Sequence, residues 1–523
     1  MTLAARIAHN SIISTVTRVL SLAISLVTIG FITRYLEPAG FGNYTTISAF
    51  YFLIVALSDF GINQIFTREI SRPKADEANI LANVMGLRIV SVSITAILGL
   101  FGFFFLPYSE EIKKGIALMF LALFFSSGSQ TLNSVFQKRL VMHRLAYREL
   151  IGRIIQFGVV FATVKADWGL YGVLMAMIAS FLFTFLAVLQ LTREYVPLGV
   201  KFDKKYWIFF LKESAPLGIA AFVNFLYFKA DAILLSLYRS SHEVGIYGAS
   251  YKVLESLIYF PSMFMGLIMP VFAYNIFHRP KKFLNLASKT LKAIWLATIP
   301  LTVFMFFLSK ETIMVIAGKD FIEAARVLQI LSFALGAIFL AQFFNSILIT
   351  VNRQKTLLVI LSITAGLSVV LNLIFIPIYS YMGVAVISTF CQILVTVIAY
   401  RISRQWGIGW GEGWKKLPTR SFFVSAVGMV SALYFLEMTN LEGFSVLLLT
   451  GISSLAGVFS IGIFENGIAD NAIILVNIII KSIVGLTTYA GLIFLTGGLT
   501  LNELSQLIFI RKLREDDKFS LPN

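Results

Sequence analysis

Lysine and aspartate are the residues in this chain whose placement asks for chemistry. In "FLYFKADAILLSLY" (225–238), Lys229 and Asp231 stand near the middle of an otherwise apolar run. A charged side chain at bilayer depth costs about 2.5–3.5 kcal/mol on insertion scales, so a partner, a wet cavity or a ligand must offset it. Arg18, Arg88 and Arg153 repeat the pattern nearer the ends of other apolar runs. They lie roughly 9–12 Å from those ends and Lys229 roughly 22 Å, at the rise of an α-helix. Graded cations of this kind suit an anionic head group, arginine offering paired donors to phosphate oxygens.

Each residue also has a plainer reading. The three arginines could snorkel to the headgroups. Asp231 could neutralise Lys229, although residues two apart in a helix face different ways, so partners on other helices are expected for both. Lys252 and Glu255, three apart, are expected to pair on one face. Asp59 and Asp231 are candidates for a gate or for ion coupling, and Asp59, near the inner end of its helix, reads more readily as a cap or gate contact than as an ion ligand. Gln130, Asn133, Gln342 and Asn345 could meet sugar hydroxyls or serve as polar packing between helices.

The elements that must hold these residues are membrane helices. The chain has 523 residues, is 58% hydrophobic and only 13% charged, and carries a formal charge of +16. That composition marks a polytopic membrane protein without room for a sizeable soluble domain. Apolar runs predict spans near 10–33, 41–66, 80–106, 115–137, 148–165 and 169–192, then 214–238, 244–275, 285–309, 323–350, 356–376 and 383–402. Three further stretches follow, near 421–437, 443–464 and 472–498. The tail "IRKLREDDK" keeps to the inner side only if one of the three does not cross, so about 14 spans are expected. With the N-terminus inside, the cytoplasmic loops hold roughly three times as many Lys and Arg as the outer loops. The basic excess is therefore topological, and nucleic acid is not expected as a partner.

An internal repeat is visible. "FGNY" (41–44) answers "VGIY" (244–247) at an offset of 203, "QTLNS" (130–134) answers "QFFNS" (342–346), and "LYGV" (170–173) answers "YMGV" (381–384). Two six-helix lobes, 1–200 and 201–405, are expected. Because six is even, their pseudo-two-fold axis would run along the membrane normal beside a central cavity. A cytoplasmic linker (406–420), additional helices (421–500) and a cytoplasmic tail (501–523) complete the expected order. "GIGWGEGW" (407–414) follows a helix rather than a strand and reads as linker, not as a nucleotide loop.

Several stretches resemble the polysaccharide flippases of the multidrug/oligosaccharidyl-lipid/polysaccharide exporter superfamily. "RYLEPAGFGNY" (34–44) is similar to that family's R-x-L-G-P-x-x-F-G-x-Y, with Glu37 where glycine is usual. "SDFGINQIFTREI" (58–70), "KADAILLSLYRSSHEVGIYGASYKV" (229–253), "AGKDFIEAARVLQIL" (317–331) and "LNLIFIPIYSYMGVAVIST" (371–389) are similar to its later pattern. In the last of these, Ser380 replaces a glycine. The resemblance covers roughly residues 10–405 and is loose after 420. It implies a fold of two six-helix lobes facing a cavity, and translocation of undecaprenyl-diphosphate-linked oligosaccharide across the cytoplasmic membrane. It further implies membrane lipids and polysaccharide polymerase and ligase machinery as partners.

An ion-coupled multidrug and toxic compound exporter of the same superfamily is the alternative, but organic cations would want an acidic cavity. A membrane glycan polymerase or ligase would need a larger outer loop. The four histidines, His9, His143, His242 and His278, have no metal spacing, and no serine or cysteine nucleophile motif, phosphate-binding loop or plausibly placed pair of carboxylates is present. Neither an enzyme, a metal nor a cofactor is expected.

Overall fold

The computed structural model describes residues 3–139, 141–406, 418–439 and 468–500. Residues 407–417 of the expected linker (406–420), the stretch 443–464 and the tail 501–523 lie outside the described residues. What is described is all helix: α1 (Leu3–Asp59), α2 (Ile62–Ile70), α3 (Glu77–Phe104), α4 (Glu110–Lys138), α5 (Met142–Ala166), α6 (Gly169–Thr192) and α7 (Lys204–Tyr238). There follow α8 (Ser241–His278), α9 (Pro280–Phe307), α10 (Ser309–Ile316), α11 (Ala324–Thr350), α12 (Gln354–Ser403), α13 (Thr419–Met438) and α14 (Ile468–Leu495).

Among the described residues, eleven helices are long and apolar enough to cross a membrane. Two of these are double. The apolar part of α1 runs 45 residues and α12 runs 50, about 68 and 75 Å at 1.5 Å per residue, against a hydrocarbon core of about 30 Å. Each bends once, where two spans were expected with a loop between them. In α1 the bend is Glu37 (φ 55, ψ 176), immediately before Pro38; in α12 it is Ser380 (φ 50, ψ −140), three residues after Pro377. At Glu37 the following proline disfavours helical geometry and starts the next helix without needing its missing N–H. The predicted first outer loop is thus a one-residue corner. α5, with Arg148, Glu149 and Arg153 in its first half, is too charged to stand among the eleven.

Packing divides the chain into two compact units. The first holds the described residues up to Ser256 together with Ile316–Val327 and Leu361–Ser388. The second holds Leu257–Val315, Leu328–Ile360 and the described residues from Thr389 on. In the first unit, Ile62, Phe66, Leu81, Leu132, Phe136 and Phe210 belong to one buried cluster. Ion pairs close its rim: Glu77 takes Lys138 at 2.6 Å and Arg139 at 2.7 Å, and Arg68 takes Glu213 at 2.7 Å.

The same unit contains a crossing of α1 and α8 built on glycines. A Cβ on Gly42 would lie 1.7 Å from the Ser241 carbonyl oxygen, and one on Gly245 would lie 1.9 Å from the Pro38 carbonyl oxygen. Both 38/241 and 42/245 share the offset of 203 found between "FGNY" and "VGIY". Residue i touching j while the equivalent of j touches the equivalent of i is what a two-fold relation between repeats produces.

In the second unit α13 and α14 run antiparallel. Ser421 Oγ donates to the Thr496 carbonyl at 3.0 Å, and a Cβ on Gly428 would meet Leu492 at 2.1 Å. Lys481 of α14 is ion-paired with Glu311 of α10.

Glu37 occupies backbone space that glycine favours, at a cost of about 1–3 kcal/mol. Glu37→Gly is therefore expected to raise stability by about 1 kcal/mol after the extra freedom of the unfolded chain is counted. Gly245→Ala forces the two helices apart and should lower it by about 1–3 kcal/mol. Thermal unfolding of the purified chain checks both. A neutral Gly245→Ala would mean that the crossing is not tight.

Candidate functional site

A cavity of about 30 Å³ lies beside the α1–α8 crossing, wide enough for a water or two. The second half of α1 lines it with Thr45, Ser48 and Phe52, α7 with Lys229 and Asp231, and α8 with Tyr247, Tyr251 and Lys252. Gly248 permits this closeness, since a Cβ there would lie 2.5 Å from Thr45 Oγ1. The helical spacing of 247, 248, 251, 252 and 255 puts one face of α8 against α1 and α7.

Lys229 does not rely on Asp231. Its Nζ donates to Glu255 Oε1 at 2.8 Å, and Lys252 Nζ takes the other carboxylate oxygen at 3.0 Å. The rings of Phe52 and Tyr251 lie 5.2 and 4.8 Å from the Lys229 ammonium. A hydrogen bond to a charged group is worth about 1.5–3 kcal/mol, and a desolvated cation–π contact about 2 kcal/mol. Together these are more than enough to offset the insertion cost of about 2.5–3.5 kcal/mol. Asp231, which lines the same cavity, makes its hydrogen bonds with other groups. It accepts from the Tyr247 hydroxyl, from Ser388 Oγ at 3.2 Å and from the Ala232 N–H at 2.8 Å. The lysine's ion-pair partner is thus Glu255, and the aspartate's hydrogen bonds come from hydroxyls and a backbone N–H.

Arg153 approaches the group from α5. Its Nη1 donates to Gln156 Oε1 at 3.1 Å, and it acts electrostatically on Tyr51 and Lys252. Arg18 is exposed on the first half of α1 and is not gathered with the others.

Arg88 is 2% exposed and engaged on every side. It donates to Asp59 Oδ1 at 2.6 Å, Asn63 Oδ1 at 2.7 Å, the Ser58 carbonyl at 3.0 Å and Thr131 Oγ1 at 3.0 Å. This pins α3 and α4 to the place where α1 ends, at Phe60 and Gly61 with positive φ.

The four amides divide. Gln342 donates to Ser262 Oγ at 2.5 Å, and Gln130 accepts from Asn63 Nδ2 at 3.5 Å. The side-chain oxygens of Asn133 and Asn345, equivalent in the repeat, are each buried without a hydrogen-bond partner among the described residues.

Glu255 was expected to pair with Lys252, and it does; its bridge to Lys229, 26 positions away on the next helix, was not foreseen. Tyr247, Tyr251 and Phe52 carry no distinguishing signal in a chain that is 14% aromatic. The only signal for Glu255 was an acidic residue inside an apolar run.

The fold defines a class. The chain superposes on a structure described as "Lipid II flippase MurJ, inward closed conformation" with TM-score 0.71 and 16% identity, covering 96% of this chain and 99% of that one. It superposes on an inward-facing multidrug resistance MATE family transporter of the MOP superfamily with TM-score 0.61 and 11% identity, covering 76% and 97%. A MOP superfamily transporter from Pyrococcus furiosus gives TM-score 0.53 at 11% identity, covering 76% and 94%. No curated protein sequence matches at a significant level. The sequence profile of the polysaccharide biosynthesis protein family matches residues 7–276, and that of MatE matches 216–374. The chain belongs to the polysaccharide biosynthesis protein family.

Removing Arg88 leaves the half-buried Asp59 without its counter-charge and Asn63, Ser58 and Thr131 without their donor, a change that costs up to about 3 kcal/mol. Arg88→Ala should therefore unfold at markedly lower temperature, whereas Asp59→Asn, which leaves Arg88 its other acceptors, should be milder. Thermal unfolding in detergent measures the difference. A stable Arg88→Ala that no longer transports would instead make Arg88 a substrate contact.

Proposed function

We propose that this chain is a flippase for undecaprenyl-diphosphate-linked oligosaccharide, working by alternating access in the cytoplasmic membrane with its N-terminus inside. The observation that carries the reading is the cluster at the α1–α7–α8 cavity. Lys229 and Lys252 share the Glu255 carboxylate, Arg153 acts electrostatically on Lys252, and Asp231 is held by hydroxyl and backbone donors, so three cations stand against two carboxylates. Such a surplus attracts a diphosphate and repels an organic cation, which disfavours a multidrug exporter. The likeness in fold to a lipid II flippase, over nearly the whole of both chains, supports the same class.

The parts then have distinct tasks. Arg18 receives the head group near the inner surface, and Arg153 and Lys229 hold it at depth. Asn133 and Asn345, with their free oxygens, together with Gln130 and Gln342, offer hydrogen bonds to sugar hydroxyls. Arg88 and Asp59 fix the helix ends about which the site is built. The cavity is too small for a diphosphate while α1 and α8 touch. Transfer to the outer side therefore needs the glycine crossing to part. Glycines suit a door of this kind because backbone meets backbone with no side chains to disentangle. The polyprenyl chain stays in lipid, and glycan polymerase or ligase machinery would take the product.

Lys229→Ala should abolish flipping while leaving insertion intact, and Lys229→Arg should keep part of it, because a cation at that depth is what the diphosphate needs. Outer-leaflet appearance of the lipid-linked glycan at matched protein levels is the measurement. Full activity of Lys229→Ala would reduce Lys229 to a structural counter-charge of Glu255.

A further inference from the structure

The carboxylate of Glu255 stands between two ammonium groups, with one oxygen on Lys229 at 2.8 Å and the other on Lys252 at 3.0 Å. Two oxygens on one central atom, each taken by a separate cation, is also the arrangement in which lysines bind a phosphate group. The three side chains are neither sealed nor free, at 19% exposure for Lys229, 24% for Lys252 and 28% for Glu255. They belong to the first unit, and Lys229 and Lys252 line the cavity there. A purely structural pair would be satisfied by one lysine; here a second cation shares the carboxylate, and Arg153 adds a third positive charge within electrostatic reach of Lys252.

We propose that Glu255 is a resident stand-in for the substrate's phosphate: it occupies Lys229 and Lys252 when the site is empty, and an incoming diphosphate displaces it. Lys252 thereby becomes a substrate-binding residue equal in rank to Lys229. This rests on the reading of the substrate as a lipid diphosphate and adds the residue that regulates its binding. The stand-in keeps two ammonium groups from facing each other unpaired in a low-dielectric site, and it weakens binding enough for the substrate to leave. Binding energy spent equally on the bound and the moving state would slow release rather than speed transfer.

The test is binding of undecaprenyl diphosphate to the purified full chain in lipid nanodiscs, followed by turnover in vesicles. Glu255→Gln removes the competing charge and keeps a hydrogen-bond acceptor. It is expected to bind the probe about tenfold to a hundredfold tighter, the worth of one hydrogen bond to a charged group, and to flip it more slowly. Glu255→Asp keeps the charge but is too short to reach both lysines, and is expected to fall between the two. Lys252→Gln should weaken binding as Lys229→Gln does. If the wild-type chain does not bind the probe, the diphosphate reading fails and this inference with it. If binding needs Lys229 while Glu255→Gln and Glu255→Asp both bind no tighter than wild type, the reading stands and the stand-in is refuted. If Glu255→Gln does not fold, unchanged affinity in Glu255→Asp refutes it alone.

Discussion

An ammonium group in an apolar helix has to be answered, and the answer chosen here organises the site. Lys229 is held by Glu255 on α8 and by two aromatic rings, not by the aspartate two residues along. For that to happen, α7, α8 and the second half of α1 must come within side-chain reach of one another. The glycines of α1 and α8 supply the closeness. Without Gly248 the Thr45 side chain would collide with α8, and the rings on either side of Lys229 would stand apart. Charge in the interior and backbone contact at the crossing are therefore one constraint seen from two directions.

The two bends serve the same geometry. At Glu37 and Ser380 the chain turns within a single residue, so paired spans leave the corner without a loop between them. The Arg239 guanidinium donates to the carbonyls of Ile376 at 3.1 Å and Pro377 at 2.5 Å, acceptors that lie at the α12 corner. Ser380 in turn donates to Glu243 Oε1 at 2.5 Å. The corner of α12 is thus tied to the start of α8, the helix that carries Glu255. Side chains other than glycine at φ near 50° cost energy, and the surrounding contacts hold the corners in place against it.

Much of this was legible in the sequence because apolar runs of about 20 residues have few alternatives. Every expected span of the two lobes has a helix, and the offset of 203 reappears as reciprocal contacts at the crossing. Lys229 announced itself by being costly. What could not be read was pairing between helices. Glu255 looked like the local partner of Lys252, because three-residue spacing is visible in a sequence and a bridge to the neighbouring helix is not. Arg88 stood out because it lies in an apolar run, while its four partners come from α1, α2 and α4 and leave no trace in its local sequence. The corners were missed for a related reason. Proline signals a break, but its sharpness at Glu37 and Ser380 depends on tolerated positive φ at residues that rarely adopt it.

The central claim is that the site is built for an anionic lipid diphosphate. Proteoliposomes containing only the purified chain, loaded with an undecaprenyl-diphosphate glycan in one arm and a lipophilic organic cation in the other, test it most directly. The account predicts translocation of the diphosphate lipid, competition by undecaprenyl diphosphate, and no movement of the cation beyond that in empty vesicles. Transport of the organic cation with the diphosphate lipid left in place would contradict it.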